Sequence, residues 1–402
     1  MMKTLFTNEN LWQQAWNERI ERKKTLQTCT RCLYDSETPN IVFDTEGVCN
    51  YCRKDEELRV QFPGGEEGKK AFEKIVSEIK YEGRNKTYDV IVGVSGGTDS
   101  TYMLHLAKEY GLRPLAVHFD NTWNTTVAQQ NIKNALQVLD VDLWTYVVNN
   151  REYDDIYKSF FKASTPDLEI PTDIGLAAVL NMAADKFGIK YIFEGHSFKT
   201  EGMAPLGWIY MDAQYIDSVH KEFGNMKMKT FPDFHLRKQL KWMLFNKIKK
   251  IRPLWYLDYD KTAAKQLISE KYGWQWYGGH HLENRMTAFY HTYYLPRKFD
   301  IDMRTLGFSA RIRSGQMSQE EGIKRMQTLP TFDPDVFEMI LKRLDYSLNE
   351  FEDIMSLPKR TYKEFKTYKP LFEKYRPFFY LMAKAELIPW SFYIKYTAKD
   401  NI

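Results

Sequence analysis

The sequence predicts an α/β protein: a parallel sheet covered by helices, preceded by a small metal-binding module and followed by a largely helical region. Three observations carry this. Short apolar runs alternate with helical patterns between residues 88 and 193, as expected of a parallel sheet with helices on both faces. Two Cys-x2-Cys pairs stand close together near the N-terminus, and helical periodicity dominates from about residue 276. These divide the chain into 1–62, 63–275 and 276–402.

Residues 1–28 read as a helix, with Leu11, Trp12 and Trp16 on one face. After the cysteines, Gly64, Gly65 and Gly68 beside Pro63 mark a loop before a helix over 69–80. The apolar run 89–94 reads as a buried strand and 100–110 as a helix. Strands follow at 114–119, 142–148 and 190–193, with helices at 125–139, 151–163 and 173–187. Such sheets bind ligands beyond the carboxyl ends of their strands. That places the loops after Val94, Phe119, Val148 and Phe193 around one site. Past residue 205 the alternation fades: 233–250 and 258–272 read as helices, and the aromatic stretch 274–277 leads into Gly278-Gly279. Ser318 with Glu321 fits a capping box. The aromatic stretch 372–396 reads first as packed core and second as a surface for a partner or a membrane.

Charged residues make up 27% of the chain, hydrophobic ones 43%, and the net charge is +4. So small an excess argues against a general nucleic-acid binder, though not against a local basic groove. The N-terminus has no apolar core of the signal-peptide kind. No stretch reaches the roughly 18 apolar residues of a membrane span. The expectation is a cytoplasmic protein with no nucleic-acid partner and no membrane span.

Ser95-Gly96-Gly97-Thr98-Asp99-Ser100 lies between the first strand and its helix. Glycines there let backbone N–H groups close on an anion with no Cβ in the way. The serine hydroxyls can donate to phosphate oxygens, and the helix N-terminus favours negative charge. Asp99 suits a magnesium ion bridging phosphates. The bland alternative is an ordinary strand-to-helix turn, which uses the same residue types. No Walker motif is present. Cys29-x2-Cys32-x16-Cys49-x2-Cys52 accounts for all four cysteines. The spacing suits a closed tetrahedral, structural zinc site; an iron–sulfur cluster and four separate thiols are the alternatives.

The loop resembles that of the PP-loop ATP pyrophosphatases, an adenine nucleotide alpha hydrolase-like fold that includes asparagine, GMP and NAD synthetases and tRNA-thiolating enzymes. The resemblance implies that pyrophosphate rests in the loop while AMP passes to a substrate oxygen. It also implies that Val117 to Asn121 borders the adenosine and that Glu194-Gly195-His196 is a second nucleotide-contacting loop. A closer resemblance, from Cys29 to about residue 330, is to the N-acetyl sugar amidotransferases of bacterial surface polysaccharide (O-antigen) and nonulosonic acid synthesis. Its carriers are 28–33, 47–52, 94–100, 118–123, Gly278-Gly-His-His-x-Glu-Asn-Arg285, 293–298 and 313–318.

That resemblance implies an ATP-dependent conversion of an acetamido group on a nucleotide-activated sugar into an acetamidino group. With no cysteine spare for glutamine hydrolysis, ammonia comes from solution or from a partner glutaminase, and the resemblance implies glutaminase- and cyclase-like partners that channel it. ATP, Mg2+ and a structural Zn2+ are the expected cofactors. The candidate ATP contacts are Val94, Ser95, Gly96, Gly97, Thr98, Asp99, Ser100, His118, Asp120, Asn121 and Gly195. The candidate catalytic set is Asp99, His196, Lys199 and Arg285, where Arg285 can hold a phosphate or carboxylate bidentately. Substrate contacts are expected from Trp123, Glu201, His280, His281, Glu283 and Asn284. For Asp120 and Trp123 a packed loop is the alternative, and for 280–285 a solvated helix start. The rival enzyme is a tRNA thiolase, disfavoured by the lack of spare thiols. A nucleotide-binding adapter without turnover is the non-enzyme reading.

Overall fold

The computed structural model describes residues 7–397 apart from 206, 280, 281, 386 and 389. Its centre is a five-stranded, all-parallel sheet: β1 (Val90–Gly93), β2 (Pro114–Asp120), β3 (Leu143–Val147), β4 (Tyr191–Phe193) and β5 (Lys249–Ile251), in the order β3-β2-β1-β4-β5. Val90 pairs with Pro114, and Ile91 with Ile192, so β1 is hydrogen-bonded on both sides. Successive side chains of a strand point to opposite faces. Val90 and Val92 accordingly join the core beneath helices Gly65–Gly83, Thr98–Glu109 and Lys261–Tyr272. Ile91 joins the core beneath Asn150–Ala163, Ile170–Lys186 and Ala213–Phe223. Burial on both faces is why β1 and β2 are continuous apolar runs rather than alternating ones.

Strand order reverses between β1 and β4, so the crevice of the sheet opens there, outside the carboxyl ends of both strands. The expected strands and their helices are present within a few residues. Helix Gly65–Gly83 starts earlier than expected, because the Asp258 carboxylate accepts from the Gly65 N–H (3.2 Å) and fixes the glycine-rich turn as the first turn of the helix. The segment 233–250, expected as one helix, is instead Leu236–Leu240, a π-helical turn Lys241–Phe245, and β5. Lys249 and Lys250 are exposed on this edge strand, where charge discourages further strand pairing and hides the strand from a hydrophobic pattern.

The N-terminal helix, Glu9–Lys24, is capped by Asn8. Trp16 is fully buried and donates from Nε1 to the Gln327 carbonyl (3.1 Å), while Leu11 remains exposed. The Ser318 hydroxyl accepts from the Glu321 N–H at 3.0 Å, and both halves of a capping box form at Ser347 and Glu350. Phe372, Phe379, Phe392 and Tyr396 pack together in a small separate core, in line with the first reading of that aromatic stretch.

Two carboxyl groups are buried at the start of helix Ile170–Lys186. Glu169 accepts from the Tyr157 hydroxyl (2.7 Å) and the Thr287 hydroxyl (2.6 Å), tying the sheet domain to the C-terminal region. Asp167 accepts from the Tyr210 N–H (2.9 Å) and the Tyr215 hydroxyl (2.8 Å). Burial raises each to about 7, and the hydrogen bonds offset this only in part. In the unfolded chain Glu169 ionises near 4.5. Between the two values the folded state holds the extra proton, so stability falls as pH rises through that window and stays low above it. Glu169→Gln keeps an oxygen facing Tyr157 without the buried charge. We expect its thermal midpoint to exceed that of the wild type at pH 8, and the difference to shrink or reverse at pH 5. Scanning calorimetry of both proteins at the two pH values checks this.

Candidate active site

The loop after β1 is held from three directions. The Ser100 hydroxyl accepts from the Ser95 N–H (3.2 Å) and donates to the Gly97 carbonyl (3.2 Å), closing the loop onto the first turn of helix Thr98–Glu109. The Gly96 carbonyl accepts from Trp274 Nε1 (2.9 Å) and Asn131 Nδ2 (3.2 Å), so the aromatic stretch after helix Lys261–Tyr272 braces the loop from behind. The Ser95 hydroxyl donates to the Glu283 carboxylate (3.3 Å) while accepting from the Gly97 N–H (3.3 Å). Gly96 has φ +80°, and a Cβ there would lie 2.2 Å from the Ala128 carbonyl oxygen; a Cβ on Gly97 would lie 2.8 Å from Glu283 Oε1. Thr98 Oγ1 is buried with no hydrogen-bond partner among the described residues. A tight glycine turn, the first turn of a 12-residue helix and an unsatisfied hydroxyl together fit an anionic phosphate group.

Across the crevice, β4 runs into Glu194-Gly195-His196. A Cβ at Gly195 would come within 3.3 Å of Asp99 Cβ, so the two loops touch. Asp99 receives Lys261 Nζ (2.7 Å) and the Tyr259 hydroxyl, and Lys261 also reaches Glu201 (3.4 Å). Burial works to raise the Asp99 pKa, but the Lys261 charge and these hydrogen bonds hold it below the usual carboxylate range. Burial likewise opposes the Lys261 charge, and Asp99 with Glu201 keep the ammonium protonated. Two carboxylates thus converge on one cation. A magnesium ion taking Asp99 as ligand has to share it with this ammonium or displace it. Lys261 and Tyr259 were not singled out in the sequence; their signal was the polar run Asp258-Tyr-Asp-Lys261 opening a helix that faces the loop.

Burial lowers His196 to about 4, with the Arg252 charge adding to the effect. Its Nε2–H donates to the Gly202 carbonyl (2.8 Å), and Nδ1 is buried without a partner among the described residues. The ring is therefore neutral near pH 7 and offers an acceptor. Glu194 is pushed down to about 2: burial would raise it, but Lys250 (2.8 Å) and Arg252 (3.0 Å) outweigh that.

The loop after β2 is held by its own hydrogen bonds. His118 donates from Nδ1 to the Val94 carbonyl (2.8 Å) and accepts at Nε2 from Asn124 (3.2 Å), fixing the two strand ends together. Asp120 accepts from the Thr122 N–H (2.8 Å), and Asn121 accepts from Trp123 N–H (3.1 Å) and Asn284 Nδ2 (3.0 Å). Trp123 is fully buried, donates to Asp154 (3.2 Å) and is covered by the Arg343 guanidinium 3.8 Å from its ring centre. A ring enclosed in this way has no face for a ligand, so the expected substrate contact at Trp123 gives way to packing. Asn284 caps helix Arg285–Phe289, and Arg285 donates to the Asn124 carbonyl (3.2 Å). Both stitch the C-terminal region to the sheet. His280 and His281 lie outside the described residues.

The four cysteine sulfurs lie within 4.8 Å of one another, with Cys29–Cys52 and Cys32–Cys49 each at 3.7 Å. A tetrahedral zinc with Zn–S bonds near 2.3 Å requires sulfurs about 3.8 Å apart. The donor set therefore fits zinc. Arg31 N–H (3.4 Å) and Cys49 N–H (3.3 Å) donate to Cys29 Sγ. Arg313 adds Nε to Cys52 (3.2 Å) and Nη2 to Cys32 (3.4 Å), positive charge against a tetrathiolate that would carry net negative charge. The segment after Arg313 continues into the site: the Ser314 hydroxyl donates to the Lys199 carbonyl (2.5 Å) and Gln316 to the Tyr259 carbonyl (3.1 Å). Lys199, Tyr259, Arg59 and Gln316 help to line a cavity of about 610 Å³ between the three parts of the chain. Burial lowers the Lys199 pKa, only partly offset by Asp258.

Two outcomes follow from this geometry. Gly96→Ala combines a left-handed backbone, about 1–2 kcal/mol for a residue with a Cβ, with a backbone clash. Gly65→Ala shares the positive φ (+63°) but has nothing within 4 Å. In thermal unfolding Gly96→Ala should lose clearly more stability than Gly65→Ala, and in calorimetry it alone should lose ATP binding. Purified protein should carry one zinc per chain by atomic spectroscopy. Arg313→Gln should release it to a chelator faster than the wild type, with four thiols becoming reactive as it leaves.

Residues 283–378 match the family described as the C-terminal domain of the LPS biosynthesis protein WbpG-like group. The chain is also similar to the tRNA-specific 2-thiouridylase MnmA of Colwellia psychrerythraea, 30% identical over 126 residues, and to that of Proteus mirabilis, 30% identical over 127. Each match takes in 28% of this chain and 34% of the relative, so the chain spans about a third of the length of these curated relatives. Among solved structures, the NMN synthetase of Francisella tularensis overlaps 53% of this chain and 98% of its own, at 13% identity and a TM-score of 0.25. The matched domain begins at Glu283, the residue that takes the Ser95 hydroxyl. The chain thus combines a segment similar to that WbpG-like domain with the glycine-rich loop and the four-cysteine cluster.

Proposed function

We propose that this protein is an AMP-forming amidotransferase that turns an acetamido group of a nucleotide-activated sugar into an acetamidino group, in bacterial surface polysaccharide synthesis. The observation that carries the reading is the junction at Glu283. There a WbpG-like domain supplies a wall of the loop that suits the pyrophosphate of ATP.

An amide is a poor electrophile, and its oxygen is a poor leaving group. In the proposed reaction the amide oxygen attacks the α-phosphorus of ATP, the bond to the β-phosphate oxygen breaks, and pyrophosphate leaves. Ammonia then adds to the imidate carbon, the C–O bond breaks with release of AMP, and one proton leaves the nitrogen. Loop N–H groups with the Ser95 and Thr98 hydroxyls hold the departing pyrophosphate, where preorganised donors act most strongly in the transition state. A magnesium ion held by Asp99 would neutralise further charge on it. Lys261 orients Asp99 and Glu201, and neutral His196 accepts a hydrogen bond rather than supplying a proton. Lys199 and the adjoining cavity suit the sugar side, and exclusion of water protects the imidate from hydrolysis. With all four cysteines gathered in one cluster, none is spare for glutamine hydrolysis, so ammonia is taken from solution or from a partner glutaminase.

The same commitment of every thiol disfavours tRNA thiolation, despite the likeness to MnmA over the shared segment. The test supplies ATP, magnesium and ammonium with a panel of acetamido nucleotide sugars. We expect sugar-dependent AMP and a product in which NH replaces the amide oxygen by mass. Release of AMP with tRNA but with none of the sugars would sink the reading in favour of the thiolase.

A further inference from the structure

The C-terminal helix Arg376–Lys384 carries exposed apolar side chains beside its buried ones. Phe379 (3% exposed), Met382 (7%) and Ala383 (1%) face inward and pack with Phe372 and Phe392. Next to them Phe378 is 58% and Leu381 61% exposed, and Leu371, Tyr375 and Leu387 in the flanking segments are exposed as well. One apolar side suffices to dock a helix on a small core. Further apolar side chains open to solvent mark a surface that something else covers. The sequence leading into and through this helix is strongly basic. Residues 359–384 hold eight Lys or Arg against two Glu, in a chain whose whole excess is +4. Lys359, Lys363, Lys366, Lys374 and Lys384 are exposed. Lys374 lies 5.4 Å from the centre of the Tyr375 ring, and Lys384 ends the helix that carries Phe378 and Leu381; such stems can cover apolar surface while the ammonium groups remain in water.

We propose that this surface docks the protein on an anionic membrane. Phe378 and Leu381 enter the headgroup–acyl boundary, and the lysines meet lipid phosphates, the pairing expected of an interfacial amphipathic element. No helix among the described residues is long and apolar enough to cross a membrane, so attachment is peripheral. The charge excess favours lipid over a second copy of this chain, whose own face would bring like charges together.

The test is cosedimentation of the full-length protein with vesicles of phosphatidylglycerol and phosphatidylcholine, and of phosphatidylcholine alone. The wild type should pellet at least severalfold more with the anionic vesicles, and less as salt is raised. The double variant Phe378→Asp/Leu381→Asp should lose binding. Lys374→Glu/Lys384→Glu, which leaves the small core untouched, should weaken it with an unchanged circular dichroism spectrum. Equal pelleting of the wild type and the lysine variant would overturn the proposal. So would light scattering that shows a wild-type dimer made monomeric by Phe378→Asp/Leu381→Asp, since the face would then be an interface between copies.

Discussion

Two backbone hydrogen bonds, Arg285 N–H to the Trp123 carbonyl and Thr125 N–H to the Glu283 carbonyl, both 2.9 Å, set where the C-terminal region meets the sheet. Each is worth about 1 kcal/mol net. The adhesion comes from the shared apolar core, where Phe289, Tyr294, Leu344 and Phe351 are buried with Phe160, Phe161 and Ile170. The hydrogen bonds supply register instead. They place the Glu283 carboxylate beside Ser95 and Asn284 between Asn121 and Asn124. A slip of one residue would carry Glu283 away from the loop. The site wall thus depends on a short antiparallel bridge that is weak in energy and strict in geometry.

The cysteine cluster serves the same end from the other side. Leu33 N–H donates to the Ser309 hydroxyl (3.2 Å), and Gln319 donates to the carbonyls of Cys29 and Cys32 (both 2.9 Å). With Arg313 on two sulfurs, these clamp helix Arg304–Arg313 and the turn after it against the module. That turn holds the Lys199 and Tyr259 carbonyls, and the Tyr259 side chain meets Asp99. A metal held by these four cysteines would order the module and, through it, one wall of the crevice.

Electrostatics in the crevice follow from topology. The reversal of strand order leaves the β1 and β4 exits open toward each other, and the residues gathered there are charged and half-buried. In such a place an isolated carboxylate would take up a proton. Asp99 and Glu194 stay ionised because Lys261 reaches in from the helix packed against Thr98–Glu109, and Lys250 and Arg252 from β5 and its exit beside β4. The crevice is therefore pre-charged, with its cations already oriented by carboxylates rather than by a ligand.

What the sequence determined by itself is what depends on near neighbours along the chain. The apolar runs of β1, β2 and β4 show their burial, the loop 95–100 shows its turn chemistry, and paired Cys-x2-Cys knuckles show their donor set. Each is a pattern a few residues long, enforced by backbone geometry or coordination. Tertiary structure alone decided which distant groups meet. Asp99 and Lys261 are 162 positions apart, Ser95 and Glu283 188, and Cys52 and Arg313 261. No local period encodes such pairings, because they arise only when the sheet order and the helix packing are complete. The same holds for Trp123. Beside a strand exit its sequence position suits a ligand contact, yet the arrival of Arg343 and Asp154 from other helices encloses its ring. The charged edge strand β5 took its conformation from pairing with β4, an interaction that two lysines and an isoleucine do not announce.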